Sequence, residues 1–413
     1  MNIVQVPRRF VKDHWGGTET VILETSKWLR AMGHHSEILC PNALARSAHE
    51  EIDGISVKRV SYFYPYLGLG SGARVLLDKK GGNLFSFALL GALKKYPKLD
   101  LIHLHTGKRV GGIVRHVALK RKIPYIVSLH GGFYDVPEKE SATWTAPTQG
   151  ALEWGRVLGW WVGSRRVLAD AAAIVCLGQK EEEELKIRLP EKKTVLLPNG
   201  VDYERFANGD GASFRQKYGL APDRQIILTV SRIDPQKNQL FSVRMLPKLL
   251  ATHPSAHLVM IGCVTNDPYF KQLEDTVKRE KLEKHVTVIR GLPADSRDLV
   301  DAYHASHVFI LPSIHEPFGI VILEAWAARR AVIAARVGGI PSFVEDQKDG
   351  LLFESGDENG FLAKLRAVLD HPAEARGLGE SGQAKVRAQY GWDRVTERLS
   401  QLYEEVIREN PLR

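Results

Sequence analysis

The strongest constraint in this chain is an alternation that runs through it twice. Short apolar runs of strand length alternate with longer segments of helical pattern, first through residues 2–197 and again through residues 225–353. In the first set, Asn2-Ile3-Val4-Gln5-Val6 reads as a strand. An amphipathic helix follows as far as Met32 and is ended by Gly33, and residues 36–40 are the next strand. Residues 99–105, 123–130 and 169–177 continue the strands, with a charged helix at 180–189. In the second set, strands at 225–230, 257–261, 286–289, 305–311, 331–335 and 351–353 alternate with helices at 237–251, 269–282 and 321–330. Strands separated by helices pair in parallel and carry those helices on both faces. A chain of 413 residues is too long for one ordinary core. Between the sets, a short strand ends in the turn Pro198-Asn199-Gly200. The expectation is an α/β chain of two doubly wound parallel-sheet domains, residues 1–197 and 198–390.

Composition narrows the setting. The apolar share is 44% and the charged share 25%, ordinary for a globular protein. The net charge of +9 suits an anionic ligand, an anionic membrane surface or nucleic acid, and does not choose among them. Cys40, Cys176 and Cys263 lie far apart, with no disulfide framework and no zinc spacing. The N-terminus enters a strand without the layout of a signal peptide, and no apolar run is long enough to cross a bilayer. A cytoplasmic chain is expected.

The chemistry concentrates in Pro312-Ser313-Ile314-His315-Glu316-Pro317-Phe318-Gly319-Ile320-Val321-Ile322-Leu323-Glu324-Ala325. A buried strand precedes it and a helix follows it, so the segment is a strand, a tight loop and a helix start, with Pro317 near that start. A helix N-terminus has unpaired N–H groups and the positive end of the dipole, which suits phosphate. Glu316 falls just outside the helix and Glu324 about a turn inside it, so they are expected to face one cleft at two depths. Glu316 could accept from sugar hydroxyls and Glu324 from a ribose. An acid near a helix start plus an exposed helix acid would account for the same residues. The turn after residues 225–230 carries Arg232 and Lys237, a fork and a point charge that suit a diphosphate. A surface pair bound to nearby acids is the plainer alternative.

The first set has its own candidates. Gly16-Gly17 opens the first helix, where glycine lets backbone approach a phosphate. It is not the Gly-x-Gly-x-x-Gly of a nicotinamide site. His103 and His105 share a strand face, but no third metal ligand lies nearby in sequence. His130, followed by Gly131-Gly132, ends a strand at the sheet edge where open α/β sheets take ligands. Residues 61–85 read as a loop, for acceptor or membrane contact or simply packing its own aromatics. Trp144, Trp154, Trp160 and Trp161, with Arg165 and Arg166 behind them, suit either a membrane interface or helix packing.

The ordered set Gly16-Gly17, His130-Gly131, Pro198-Asn199-Gly200-Val201-Asp202, Ser231-Arg232…Lys237 and Glu316-x7-Glu324 resembles the family 4 retaining glycosyltransferases, over nearly the whole chain. That resemblance implies the GT-B fold, two Rossmann-like domains facing across a cleft, with the last helix (391–413) crossing back to the N-terminal domain. It implies an N-terminal acceptor domain and a C-terminal donor domain. It gives Glu324 the donor ribose. Glu316 and the backbone at Phe318, Gly319 and Ile320 hold the transferred sugar. Arg232 and Lys237 neutralise the diphosphate, approached also by Gly16 and Gly17. His130 contacts the sugar near the reacting carbon. Asn199 belongs to the donor set, and Arg290-Gly291-Leu292 matches where members hold the base. Ser231, Asn238 and Ser342 depart from the family pattern, where many members have glycine, glycine and glutamate.

The implied activity is hexosyl transfer from a UDP- or GDP-sugar to a hydroxyl, in polysaccharide or glycolipid biosynthesis. The nucleotide-sugar is a substrate, so no cofactor is expected, and the lack of an Asp-x-Asp triad argues for no metal. Expected partners are the donor and a glycan or lipid-linked acceptor, with peripheral contact at an anionic membrane compatible with the basic charge. Nucleic acid is not expected. A nucleotide-sugar epimerase of the same architecture and a non-catalytic nucleotide-binding module remain as alternatives.

Overall fold

The computed structural model describes residues 1–12, 15–131, 146–293 and 295–410. The chain divides into two compact units, Met1–Pro198 with Trp392–Arg413, and Asn199–Gly391.

The first unit is built on an eight-stranded sheet. Its spatial order is Thr194–Leu196, Ala173–Cys176, Tyr125–Ser128, Leu101–Leu104, Asn2–Val6, His35–Pro41, Ile55–Val60 and His49–Ile52. All pairs are parallel except the last, a hairpin. The hairpin was not anticipated. Its turn is Asp53-Gly54, both with positive φ (48° and 78°), the backbone a two-residue hairpin requires. Chain order reverses on either side of Asn2–Val6, which is paired to both Leu101–Leu104 and His35–Pro41. A doubly wound sheet binds ligands beyond the strand ends at such a reversal. In this unit those ends are Pro7-Arg8-Arg9 and His105-Thr106.

Trp392–Glu409 is an amphipathic helix whose buried residues Trp392, Val395, Leu399, Leu402, Tyr403 and Val406 recur at helical spacing. They pack on Ile3, Leu101, Ile126 and Ala173 of the first sheet. The last helix therefore belongs to the unit that begins the chain.

The second unit has six strands, all parallel, in the order Val286–Ile289, Ala256–Ile261, Gln225–Val230, Val308–Leu311, Ala331–Ala335 and Leu351–Phe353. Its reversal lies between Gln225–Val230 and Val308–Leu311. The segments leaving those two strands are 231–238 and 312–319, which hold Arg232, Lys237 and Glu316.

Two local expectations need correction. Residues 61–85 are not a plain loop, because Ser71–Lys80 is a helix closed by Gly81 at φ 101°. Only part of one face of that helix is buried, and Val75 and Leu76 are exposed, so the apolar spacing gave no signal. Pro317 does not lie in the first turn of a helix. The helix is Ile320–Ala327, and the chain enters it through Gly319 at φ 94°, a left-handed conformation that glycine adopts without strain.

Candidate active site

The second unit fixes its two candidate segments against each other. Ile314 N–H donates to the Gln236 carbonyl (2.8 Å), and Gln236 Nε2 donates to the His315 carbonyl (3.1 Å). Gln239 Nε2 donates to Ser231 Oγ (2.8 Å) and to the Arg232 carbonyl (2.7 Å), which sets the turn that carries Arg232. Asn238 holds φ 57°, a conformation asparagine tolerates well among non-glycine residues. Ser231 and Asn238 thus have structural places.

A glycine pair closes the other side of the loop. Gly339 N–H donates to the Glu316 carbonyl (3.0 Å). A Cβ on Gly338 would lie 2.1 Å from the Glu316 carbonyl oxygen, and one on Gly339 would lie 2.1 Å from that of Pro317. Only glycine allows this approach.

Lys237 Nζ donates to Glu316 Oε2 at 2.6 Å, and Ser313 Oγ donates to the same oxygen at 3.3 Å. Both charged side chains are largely buried, 13% and 8% exposed. Arg232 behaves differently. Its side chain is about half exposed, ion-paired to Asp234 (3.3 Å) and donating to Gln236 Oε1 (3.1 Å). The helix start carries a further set of donors. The backbone N–H groups of Phe318, Gly319, Ile320 and Val321 have no acceptor among the described residues. Phe318 offers only its backbone, since its ring is buried and stacked on Phe343 at 4.6 Å. Ile320 is half-buried.

Deeper in that helix, Glu324 accepts a 2.6 Å hydrogen bond from the buried Tyr303 hydroxyl. Burial raises the Glu324 carboxyl above its ordinary value, opposed by the Tyr303 bond and Arg205. Tyr303 was not recognised in the sequence. It sits on the helix Arg297–Ala305, and only the fold brings it to Glu324. Asn199 is buried at the start of this unit. Arg290 leaves the strand end to pair with Glu274 (2.9 Å) and lies over the Phe270 ring (4.5 Å), while Gly291 turns at φ 89° beside Cys263. Leu292 follows, half-buried.

The first unit holds a histidine relay. His105 Nε2 lies 2.7 Å from Gln5 Oε1, and His105 Nδ1 lies 2.8 Å from His130 Nε2. His103 lies beneath, its ring centroid 4.0 Å from that of His105, between Tyr403 Oη (2.6 Å) and Ser128 Oγ (2.7 Å). Burial pushes all three imidazoles down, His130 to about 4. They are neutral near pH 7, and the relay then has one proton arrangement. The Gln5 oxygen accepts from His105 Nε2–H, so His105 Nδ1 accepts from His130 Nε2–H, and His130 Nδ1 keeps a lone pair. The ring nitrogens of His103 and His105 are engaged by protein partners rather than offered as a metal pair. Among the described residues no group of three or more His, Cys, Asp or Glu side chains could hold a metal. Gln5 and Tyr403 escaped the sequence reading; inward-facing polar residues on a strand and on an amphipathic helix were the available signals.

Gly16 caps the helix Gly17–Ala31, and Gly17 is its first residue. Glu19 follows in the first turn, buried, its carboxyl raised by burial, with Arg9 3.8 Å away. Of the four candidate tryptophans, Trp154, Trp160 and Trp161 are exposed; Trp144, like Gly132, lies outside the described residues.

The chain matches two family descriptions, Glycosyltransferase Family 4 over residues 15–205 and Glycosyl transferases group 1 over residues 210–385. It is 28% identical over 408 residues to D-inositol 3-phosphate glycosyltransferase 2 of Catenulispora acidiphila, spanning 95% of this chain and 90% of that one. Among solved structures, sucrose-phosphate synthase from Thermosynechococcus elongatus aligns at TM-score 0.74 and 21% identity, over 99% of both chains. Anabaena HepE in complex with UDP-glucose aligns at TM-score 0.73 and 17% identity, over 98% of this chain and 100% of that one.

Proposed function

The chain is a glycosyltransferase of family 4 on the GT-B fold, and from that premise we propose that it moves a hexose from a nucleoside-diphosphate sugar to a hydroxyl acceptor with retention. One observation carries this reading: Lys237, Glu316 and a helix start with unpartnered N–H groups converge where the strand order of the second sheet reverses. Such a place takes the phosphates of a nucleotide.

The roles follow from chemistry. As the bond from the anomeric carbon to the diphosphate breaks, negative charge grows on the phosphate oxygens. Lys237, the exposed Arg232 and the helix N–H groups stabilise it, and preorganised donors of this kind are worth most in the transition state. Glu316 accepts from hydroxyls of the hexose. Glu324, held by Tyr303, accepts from the ribose. His130 presents Nδ1 to the sugar, and Gly16-Gly17 approaches the diphosphate. Asn199 and Arg290-Gly291-Leu292 complete the nucleotide contacts. The acceptor oxygen attacks from the face the diphosphate leaves, and its proton passes to the departing phosphate oxygen. The new bond keeps the anomeric configuration.

A thermal-shift screen against UDP, GDP, ADP and their sugar conjugates, in EDTA, tests the donor site. A ligand that binds only the folded state raises its melting temperature. One nucleotide series is expected to do so, and Glu324→Ala and Arg232→Ala to remove most of the shift. No shift with any nucleotide would overturn the reading, and an inverted product from a bound donor would overturn retention.

We also propose a peripheral membrane contact on the first unit. Trp160 is 84% exposed, and Trp154, Trp161, Leu152, Val157 and Phe87 are exposed with it. Phe63 ties two of them together, stacked on Phe87 (5.8 Å) and on Trp154 (6.0 Å). Exposed Arg156 and Arg166 border the same segment. Aromatics beside arginines suit an anionic bilayer surface. Cosedimentation with phosphatidylglycerol vesicles is expected to exceed that with phosphatidylcholine vesicles and to fall severalfold in Trp160→Ser. Equal binding to both, or none, removes the proposal. Among the described residues no helix is long and apolar enough to cross a membrane.

A further inference from the structure

Tyr303 is fully buried, and a buried phenol needs a partner for its hydroxyl. Two rings fix its own. Phe206 meets it edge-on, centroids 5.7 Å apart and planes at 81°, and Phe309 lies 5.6 Å away. The hydroxyl is thereby delivered to the helix Ile320–Ala327. Its short bond there is to Glu324 Oε2 at 2.6 Å, with the Val321 carbonyl at 3.5 Å. Burial, then the Glu324 charge, raises the Tyr303 hydroxyl well above its ordinary value, so it keeps its proton and donates.

That bond occupies one carboxylate oxygen. Among the described residues nothing donates to Glu324 Oε1, and this oxygen is not sealed from solvent. A carboxylate pinned at one oxygen holds the other in a fixed place. Its charge is contested. Burial raises Glu324, while the Tyr303 bond and then Arg205 oppose the rise. Arg205 acts from a tethered position, its Nη2 donating to the Ser296 carbonyl (3.2 Å) and its guanidinium 4.9 Å over the Phe206 ring. The other charged or titratable groups on the packed elements are engaged elsewhere. Lys385 pairs with Asp349 (2.7 Å) and Glu345 (3.0 Å), Arg330 donates to the Ala328 (2.8 Å) and Ser306 (3.0 Å) carbonyls, and His304 lies 2.9 Å from the Phe206 carbonyl. Tyr303 is therefore the direct side-chain donor to Glu324 among the described residues.

Resting on the assignment of Glu324 to the donor ribose, we propose that Tyr303 is a positioning residue through which the site selects ribonucleotide over deoxyribonucleotide sugars: its hydroxyl holds Glu324 Oε2 and leaves Oε1 to accept from a ribose hydroxyl. A sugar that lacks the hydroxyl leaves a desolvated carboxylate oxygen unpaired, which is how a polar site rejects such an analogue. Without the tyrosine hydroxyl, Arg205 alone opposes burial. A protonated Glu324 then no longer gives the ribose a charge-assisted bond.

Calorimetry on the full chain with UDP, GDP and ADP, each beside its 2′,3′-dideoxy form, tests this. The two forms share base and phosphates, so the ratio of their Kd values isolates the hydroxyls and cancels the titration of the phosphates. For the nucleotide that binds, the wild-type chain is expected to prefer the ribose form about tenfold or more, the loss of one charge-assisted hydrogen bond. That ratio should stay level between pH 8 and pH 6. In Tyr303→Phe, with circular dichroism to check folding, it should fall severalfold, and further at pH 6 than at pH 8, because the carboxyl is the protonated form at the lower pH. Glu324→Gln keeps an acceptor for the tyrosine but does not titrate. Its ratio should be low and level with pH, and adding Tyr303→Phe should lower it no further. A tyrosine that only packs two helices would weaken both forms alike and keep the ratio. A wild-type preference retained whole in Tyr303→Phe therefore overturns the proposal and leaves the donor reading standing, as does a further fall in the double variant. A wild-type ratio near one, or no nucleotide bound at all, removes the ribose from Glu324 and the proposal with it.

Discussion

Lys237→Ala is expected to lower kcat/KM by about two to three orders of magnitude, the usual loss when one preorganised donor to a developing charge is removed. The same change leaves the Glu316 carboxylate buried with, among the described residues, Ser313 Oγ as its remaining side-chain donor at 3.3 Å. Breaking a buried pair on one side costs about 3–5 kcal/mol. Lower activity alone would therefore not separate a catalytic lysine from a structural one.

A double variant separates them. Lys237→Met with Glu316→Gln removes both charges, and neutral replacements of a buried pair are often close to neutral in stability. Thermal stability is expected to recover most of its loss while kcat/KM stays down. Recovered activity in the double variant would show that the pair serves only the fold. The comparison has force because the pair is the plainer alternative realised in the structure: Lys237 is bound to a nearby acid, and so is Arg232. In the proposed mechanism the incoming donor shares Lys237 with Glu316, so their contact holds both near the geometry they use.

What could be read from the sequence, and what could not, divides along a physical line. The alternation of apolar runs with helical segments reports burial, and burial has a period. It therefore located the strands Gln225–Val230 and Val286–Ile289 to the residue. It gave the apolar face of Trp392–Glu409 but not its destination, because a face does not name its partner; the hydrogen bond between Tyr403 and His103 spans 300 positions. The loop around Glu316 was legible through its residue types. Its supports were not. Tyr303 beneath Glu324 stands in a helix of mixed charged and apolar residues, and Gln5 behind His105 is an inward-facing polar residue on a strand; neither position names its partner. The Asp53-Gly54 hairpin did carry a local signal, a turn pair between alternating apolar residues. Helix Ser71–Lys80 carried little, since Leu77 is its main anchor and the positions before it face solvent.

Acidification below pH 6.5 is expected to weaken the first unit. His130 is pushed down to about 4 from an ordinary 6.5, chiefly by burial, and burial also lowers His103 and His105 well below that value. Between those limits the unfolded chain binds protons that the native relay excludes. Stability therefore rises with pH in that window. Its contribution is fully present above pH 6.5 and is lost as pH falls toward 4. For His130 alone the loss between pH 6.5 and 5 is about 2 kcal/mol, and the two histidines behind it add to it. Hydrogen exchange in Leu101–Leu104 and Tyr125–Ser128, whose ends hold the relay, should quicken over this range at constant ionic strength, after correction for the intrinsic pH dependence of exchange. His130→Gln should remove the His130 share of the trend, about 2 kcal/mol between pH 6.5 and 5, since glutamine keeps a donor for His105 Nδ1 without gaining charge. A first unit equally stable at pH 7.5 and pH 5 would show that the relay takes up protons in the folded state. It would then present N–H rather than a lone pair to the sugar, and kcat/KM would break near pH 6.5 instead of running level through it.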